Sequence, residues 1–379
     1  MASPSAARPA RRRGFRELIA VVAVQSLGNT MSTSFWVVYL VSPPQDLPFS
    51  TAVLVWLVAF GLAMVIVAGY GRGRPIPATA SMTVGLGAMA IGHLSFAFLP
   101  PLAVVVAAGA GFGIYIPAFW LPLNILLAQE TTAANRAGRM AGVTATFTIV
   151  SVAAPAFGGL LAQAFGFRAL FVTAASVVTA NLILVRSLAQ RDETHRYALR
   201  FRAAGTRTNL AFLGQGAVDG LWFAATPLAT FLFTTAALEL GLLFAFFSLA
   251  AGAATYVLGV ASDRIRTRRP FLLLGPFLSV PAALGAAAFV SVRPDLGSFA
   301  LSVGALSMTT SLAPSFIFTV LVDRMEDSLP AVSATREFLL NVSRTAALGA
   351  SVLVLALGAG VEALYVFLAG AVLLEALAR

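Results

Sequence analysis

The sequence predicts an all-α integral membrane protein, with twelve transmembrane helices arranged as two six-helix pseudo-repeats. Three observations predict it. Apolar residues make up 59% of the 379 and charged residues only 11%, with a mean hydropathy of +0.89; an ordinary soluble domain is roughly 45–50% apolar and about 25% charged. The apolar residues fall into runs of span length, divided by charged or Pro/Gly-marked breaks. The arginines collect in alternate breaks.

A hydrocarbon core about 30 Å thick needs about 20 apolar residues per helix. On that measure spans are expected at 18–42, 50–70, 76–98, 101–128, 137–163, 167–188, 209–235, 240–261, 270–291, 297–322, 333–357 and 360–377. The breaks near 99 and 359 are the weakest, and eleven spans result if one of them fails. Loops rich in Arg stay on the cytoplasmic side. With the N-terminus inside, the tail (Arg8, Arg11, Arg12, Arg13, Arg16) and the loops carrying Arg72/Arg74, Arg136/Arg139, Arg186 to Arg207, Arg264 to Arg269 and Arg324/Arg336 are all cytoplasmic, and only Arg168 and Arg293 fall outside. Both termini are therefore expected in the cytoplasm, with the chain in a plasma membrane of prokaryotic type.

The same placement explains a formal charge of +10 and a pI of about 11.2 through loops facing anionic lipid, without a nucleic-acid partner. The chain divides into a basic cytoplasmic tail (1–17), an N-terminal six-helix half (18–188), a polar linker (189–208) and a C-terminal six-helix half (209–379). The linker reads as a solvated basic tether, part of it helical. There is no Cys, which excludes disulfides and thiolate chemistry. The two histidines, His93 and His195, fall on opposite sides of the membrane, so no metal centre and no cofactor are expected.

Two pairs of fragments suggest duplication. GFRALFVTAA (166–175) matches GVEALYVFLA (360–369) at five of ten positions, Phe171 facing Tyr365, and RAGRMAGVTATF (136–147) aligns with SATREFLLNVSR (333–344), Arg139 facing Arg336. Two matches at a similar separation point to repeated halves, and parallel repeats of this kind are a transporter architecture.

The loop GVASDRIRTRRP (259–270) carries Gly259, Asp263, Arg264, Arg268 and Arg269. It resembles the signature loop of the major facilitator superfamily, Gly-x-x-x-Asp-Arg-x-Gly-Arg-Arg, but has Arg266 near the second glycine's place and one extra residue before the Arg pair. The resemblance implies a cytoplasmic gate in which Asp263 caps a neighbouring helix start, where an anion is favoured. The corresponding first-half loop, GYGRGRPIP (69–77), has no Asp; Arg72 or Arg74 is expected to pair with Glu326, Asp327 or Glu337. In the fifth span AAPAFGGLL (153–161) resembles an element of the superfamily's proton-driven exporters. Pro155 removes a backbone hydrogen bond, and Gly158 and Gly159 admit a close partner helix, so this segment is either a pivot or a small-residue packing face.

Asp219 lies about ten residues into the seventh span, roughly 15 Å deep, in a stretch with no formal charge between Arg207 and Glu239. Arg344 reaches similar depth on the eleventh. Intramembrane charges commonly face the bundle interior and pair there. The two are expected to compensate each other, directly or through a polar cavity, as a switching pair or as a fixed structural one. Gln25, Asn29, Asn124 and Asn341 lie around the same depth on other spans and Trp222 follows Asp219; the resemblance implies that the first, fourth, seventh and tenth helices line the cavity, which makes Asn29, Asn124, Asp219 and Trp222 candidates for it.

These features imply a secondary active transporter working by alternating access, not an enzyme. Few polar groups and many Phe suit a small, largely apolar or amphipathic organic molecule, with proton-coupled export as the expected mode. Substrate, protons and membrane lipid are the expected partners, and the protein is expected to be a monomer. The alternatives are an importer or facilitator of a small organic anion with Arg344 as its partner, and, from another class, a non-transporting sensor or a membrane-integral enzyme.

Overall fold

The computed structural model describes residues 8–130, 136–188, 193–265, 269–293, 295–312 and 329–377. The chain is almost entirely helical, as backbone in lipid must satisfy its own hydrogen bonds. In order the elements are α1 (Arg8–Thr33), α2 (Trp36–Val41), α3 (Phe49–Tyr70), β1 (Arg72–Pro77), α4 (Ala78–Phe98), α5 (Pro101–Gln129), α6 (Arg136–Ser187), β2 (Thr194–Ala198), α7 (Phe201–Ala204), α8 (Thr206–Phe233), α9 (Ala237–Ile265), α10 (Arg269–Val292), α11 (Leu296–Thr310), α12 (Leu329–Ala356), α13 (Glu362–Val372) and a closing 3₁₀ turn, Leu373–Leu377.

Among the described residues nine helices are long and apolar enough to cross a membrane. One of them, α6, joins two spans at Gly166, whose φ of 81° ends the first and starts the second. α11 and α13 with its 3₁₀ extension are shorter, and 313–328 lie outside the described residues. Proline punctuates the starts as expected: Pro48, Pro77 and Pro100 cap α3, α4 and α5, where a missing N–H costs nothing. α11 is capped by Asp295, whose side chain accepts from the Ser298 N–H at 2.9 Å.

Within the first half α1 packs on α6, α4 on α5 and α6, and α3 on α5; within the second, α8 packs on α12 and α10 on α11 and α13. The halves meet where α3 lies along α12 and α6 along α9. The repeat is visible in side-chain contacts. Arg139 stacks over Phe15 at 4.8 Å and Arg336 over Phe212 at 5.8 Å, and the two phenylalanines are as far apart in sequence as the two arginines. Phe171 and Tyr365 are both fully buried, the first against Tyr39 of the opening span and the second against Thr226 of α8.

The linker departs from the expected tether. Residues 194–198 form a strand antiparallel to β1, with Ile76 opposite His195 and Pro75 opposite Arg196. Its alternation buries His195 and Tyr197, a period-2 pattern too short to stand out among the surrounding charges. Tyr197 stacks on Tyr70 at 5.7 Å and joins a cluster with Val67, Leu121, Ile125 and Ala334. The Arg200 N–H donates to Thr335 Oγ1 at 2.7 Å, and Gln129 Nε2 donates to Glu193 Oε2 at 2.7 Å. The linker is thus stitched to both halves. Burial raises the Tyr197 phenol above its usual range, and neighbouring Tyr70 adds to this.

Candidate functional site

α8 and α12 can lie close together because α8 presents two glycines four residues apart, Gly216 and Gly220. A Cβ at Gly220 would stand 2.8 Å from the Arg344 carbonyl oxygen and 3.0 Å from its Cα, and one at Gly216 would overlap the Leu340 backbone and the Ser343 hydroxyl. Small residues four apart bring membrane helices into backbone contact. Across this seam Arg344 donates to Asp219 Oδ2 from Nη2 at 2.7 Å and from Nε at 3.2 Å.

The bridge belongs to a larger array. Arg344 Nη1 is 3.4 Å from Glu337 Oε1 and 3.4 Å from Asn341 Oδ1. Asn341 Nδ2 donates to the Glu337 carbonyl at 2.8 Å and to Oε1 at 3.2 Å. Arg336 Nη1 stands 4.0 Å from Glu337 Oε2. Two carboxylates and two guanidinium groups therefore balance, and Phe60 of α3 covers the Arg344 guanidinium at 5.1 Å.

This array closes one side of a cavity of about 430 Å³ between the halves, lined by Asn29, Trp56, Phe60, Phe112, Tyr115, Ile116, Trp120, Asn124 and Phe223 with Arg336, Glu337 and Arg344. Its aromatic wall is continuous: Trp56 lies 5.3 Å from Phe112, 5.7 Å from Phe60 and 4.7 Å from Phe223. The last contact crosses from one half to the other. A second pocket, beside Gly14, Glu130 and Glu193, measures about 60 Å³, space for little more than water.

The expected residues divide as follows. Asp219 and Arg344 are in direct contact, but Arg344 lines the cavity and Asp219 stands behind it. Asn29 and Asn124 are on the wall. Gln25 is buried behind it, its Nε2 donating to the Tyr115 hydroxyl. Asn341 is fully buried and holds Glu337 and Arg344. Trp222 and Phe223 both pack partly buried against the core, and of the two it is Phe223, about 100° further round α8, that lines the cavity. Glu337 is a correction, since it pairs with Arg344 and Arg336 rather than reaching toward Arg72 or Arg74. Glu326 and Asp327 lie outside the described residues.

α6 stays helical through Pro155, its one non-helical residue being Gly166. Gly159 accepts α9 closely, a Cβ there meeting the Ala237 carbonyl at 2.6 Å, and Gly158 faces the Met31 carbonyl. This geometry is that of a packing face. Gly259, Asp263 and Arg264 fall within α9 and Arg269 opens α10; their side chains, and Arg268 entirely, lie outside the described residues.

Sequence reasoning missed the aromatic box and gave Glu337 another partner. A signal existed for both: Glu337, Asn341 and Arg344 stand at i, i+4 and i+7 on one face, and Trp56 and Phe60 at i and i+4 on another.

Two halves of apolar helices related by a repeat, enclosing a central cavity with buried charge, define the major facilitator fold. The comparison with solved structures agrees. A POT family transporter in complex with 5-aminolevulinic acid superimposes with a TM-score of 0.74 at 11% identity, over 96% of this chain and 94% of that one. The xylose transporter XylE from E. coli, partially occluded and inward open, matches at 0.70 and 11%, over 96% and 97%. The peptide transporter POT in complex with sulfate matches at 0.70 and 12%, over 96% and 93%. No family model matches the sequence, and no curated protein does.

Proposed function

We propose that this protein is a secondary active transporter that carries a small amphipathic organic molecule through the central cavity by alternating access, with proton-coupled export as its mode. The observation that carries this reading is the cavity itself, whose aromatic wall is drawn from both halves and whose one charged side is the Asp219–Arg344–Glu337–Arg336 array. Six aromatic rings supply apolar and stacking surface. The array is balanced, so a charged group on the substrate must displace one of its ion pairs, and such an exchange ties occupancy to protonation. The kinship in fold with transporters of peptides and xylose supports the same class.

A second reading, uptake or facilitated diffusion of a small organic anion, is favoured by one feature: Arg336 and Arg344 both reach the wall against a single carboxylate, Glu337. Purified protein in proteoliposomes separates the two. Candidate solutes are first selected by quenching of the cavity tryptophans, Trp56 and Trp120, and then assayed for flux with and without a pH gradient. An anion facilitator loses flux in Arg344→Gln and keeps it in Asp219→Asn. The exporter loses gradient-driven accumulation in Asp219→Asn. Ligand responses unchanged in both variants would remove the site.

A further inference from the structure

Glu375, in the 3₁₀ turn Leu373–Leu377, is a buried acid that the cavity does not use. Its side chain has no exposed surface, and neither carboxyl oxygen has a hydrogen-bond partner among the described residues. The turn lies directly on α8: a Cβ at Gly214 would meet Leu374 Cβ at 2.6 Å and the Glu375 nitrogen at 2.9 Å. Gln215, next in the chain, is buried as well, and its Oε1 lacks a donor. One turn further along α8 is Asp219.

Among the described residues the surroundings hold nothing to neutralise a carboxylate. From α8 the charged group that acts on Glu375 is Asp219, of like sign, while Arg207 at the start of that helix is exposed. α10 carries one titratable residue, Arg269 at its first position, and α13 carries Glu362 at its first position and Tyr365, whose hydroxyl donates to Thr226 Oγ1 at 3.5 Å. A carboxyl group buried with no cation or protein donor beside it is held far more cheaply as the neutral acid, one oxygen keeping its proton. Asp219, by contrast, has a cation beside it, the Arg344 Nη2 at 2.7 Å.

We propose that Glu375 is the proton-binding site of this protein: it carries the coupling proton as a neutral carboxylic acid behind α8, and Asp219 links it to the cavity. Opening of the Asp219–Arg344 contact by a substrate exposes Glu375 to an uncompensated carboxylate and holds its proton; re-formation of the contact lets the proton go. The coupling role rests on the transport reading, whereas the proton site itself does not.

The test uses the full-length protein in lipid. Infrared spectra at pH 7, where an exposed glutamic acid of pKa about 4.3 is ionised, should show a protonated-carboxyl band that disappears in Glu375→Gln and persists in Asp219→Asn. Glu375→Gln is close in shape to the neutral acid and should melt at the wild-type temperature. In proteoliposomes it should lose pH-driven accumulation while still exchanging solute at equal pH. A band that survives Glu375→Gln, or pH-driven accumulation undiminished in that variant, would overturn the proposal. If the wild type moves no solute, the transport reading falls and the infrared result alone decides the proton site.

Discussion

The contact between α8 and α12 can be weighed by replacing Asp219 with Asn, Arg344 with Gln, and both together. At 2.7 Å the Coulomb attraction is about 6 kcal/mol for an effective dielectric near 20. Asp219 retains 29% of its side-chain exposure and Arg344 15%, so solvent screens part of this and desolvation offsets more; the expected coupling is about 2–3 kcal/mol. The single variants should differ. In Asp219→Asn, Arg344 keeps Glu337 at 3.4 Å, and the loss should be about 1–2 kcal/mol. In Arg344→Gln two carboxylates lose their shared cation, and the loss should be about 3–5 kcal/mol. Adding Asp219→Asn to Arg344→Gln should then restore stability, since it removes one orphaned charge. Equilibrium unfolding in mixed micelles, followed by tryptophan fluorescence, measures all four corners of the cycle. Additive losses, or an Asp219→Asn variant as damaged as Arg344→Gln, would refute the bridge.

Four further outcomes follow from local contacts. The Tyr197 hydroxyl is buried and has no partner among the described residues, so Tyr197→Phe should be neutral or slightly stabilising with an unchanged pH profile up to about 10. Tyr197→Ala should cost about 3–5 kcal/mol by emptying the site between Tyr70 and Ala334, read by the same unfolding assay. Gly220→Ala must push α12 back from a backbone atom at 2.8 Å; overpacking of about 1–3 kcal/mol should outweigh a helix-propensity gain of about 1 kcal/mol, with weaker ligand quenching as a second readout. Asp295 has its carboxyl held below the usual range by hydrogen bonds from Ser298. Its capping contribution is present above the unfolded carboxyl value of about 3.9 and is lost as pH falls through the lower folded one, so wild type and Asp295→Ala should converge in acid melts.

The spans were legible because lipid leaves few alternatives. A run of about 20 apolar residues has to be helical, and α3, α4, α5 and α8 begin within a few residues of their expected starts. The Asp219–Arg344 pair was legible for the same reason, two charges at equal depth having few other partners. What sequence hid was orientation around each helix. In α8 nearly every residue is apolar or small, so no amphipathic pattern tells Trp222 from Phe223, and only the Gly216 and Gly220 seam against α12 decides which faces the cavity. Glu337 lies near the start of the expected eleventh span, where an acid reads as facing the adjoining loop; in the structure it is buried and held by Arg344, Arg336 and Asn341. The β1–β2 pairing joins segments more than a hundred residues apart, and no local signal specifies such a partner.

The placement of charge relative to the two halves has a mechanical consequence for the proposed cycle. Asp219, Glu337, Asn341 and Arg344 all lie on α8 and α12, so their network moves as one body with the second half. The first half touches it through aromatic faces: Phe60 over Arg344 at 5.1 Å, and Trp56 against Phe223 at 4.7 Å. Rocking of the halves therefore breaks cation–π and ring contacts, each worth on the order of 1 kcal/mol, and leaves the costlier ion pairs intact. A bound molecule that stacks on Trp56 and Phe223 replaces those contacts in either state, and one that also engages Arg344 or Glu337 must reopen the network that Asp219 holds. Substrate occupancy would thus lower the barrier to rocking through the rings, and would reach the proton through the charges.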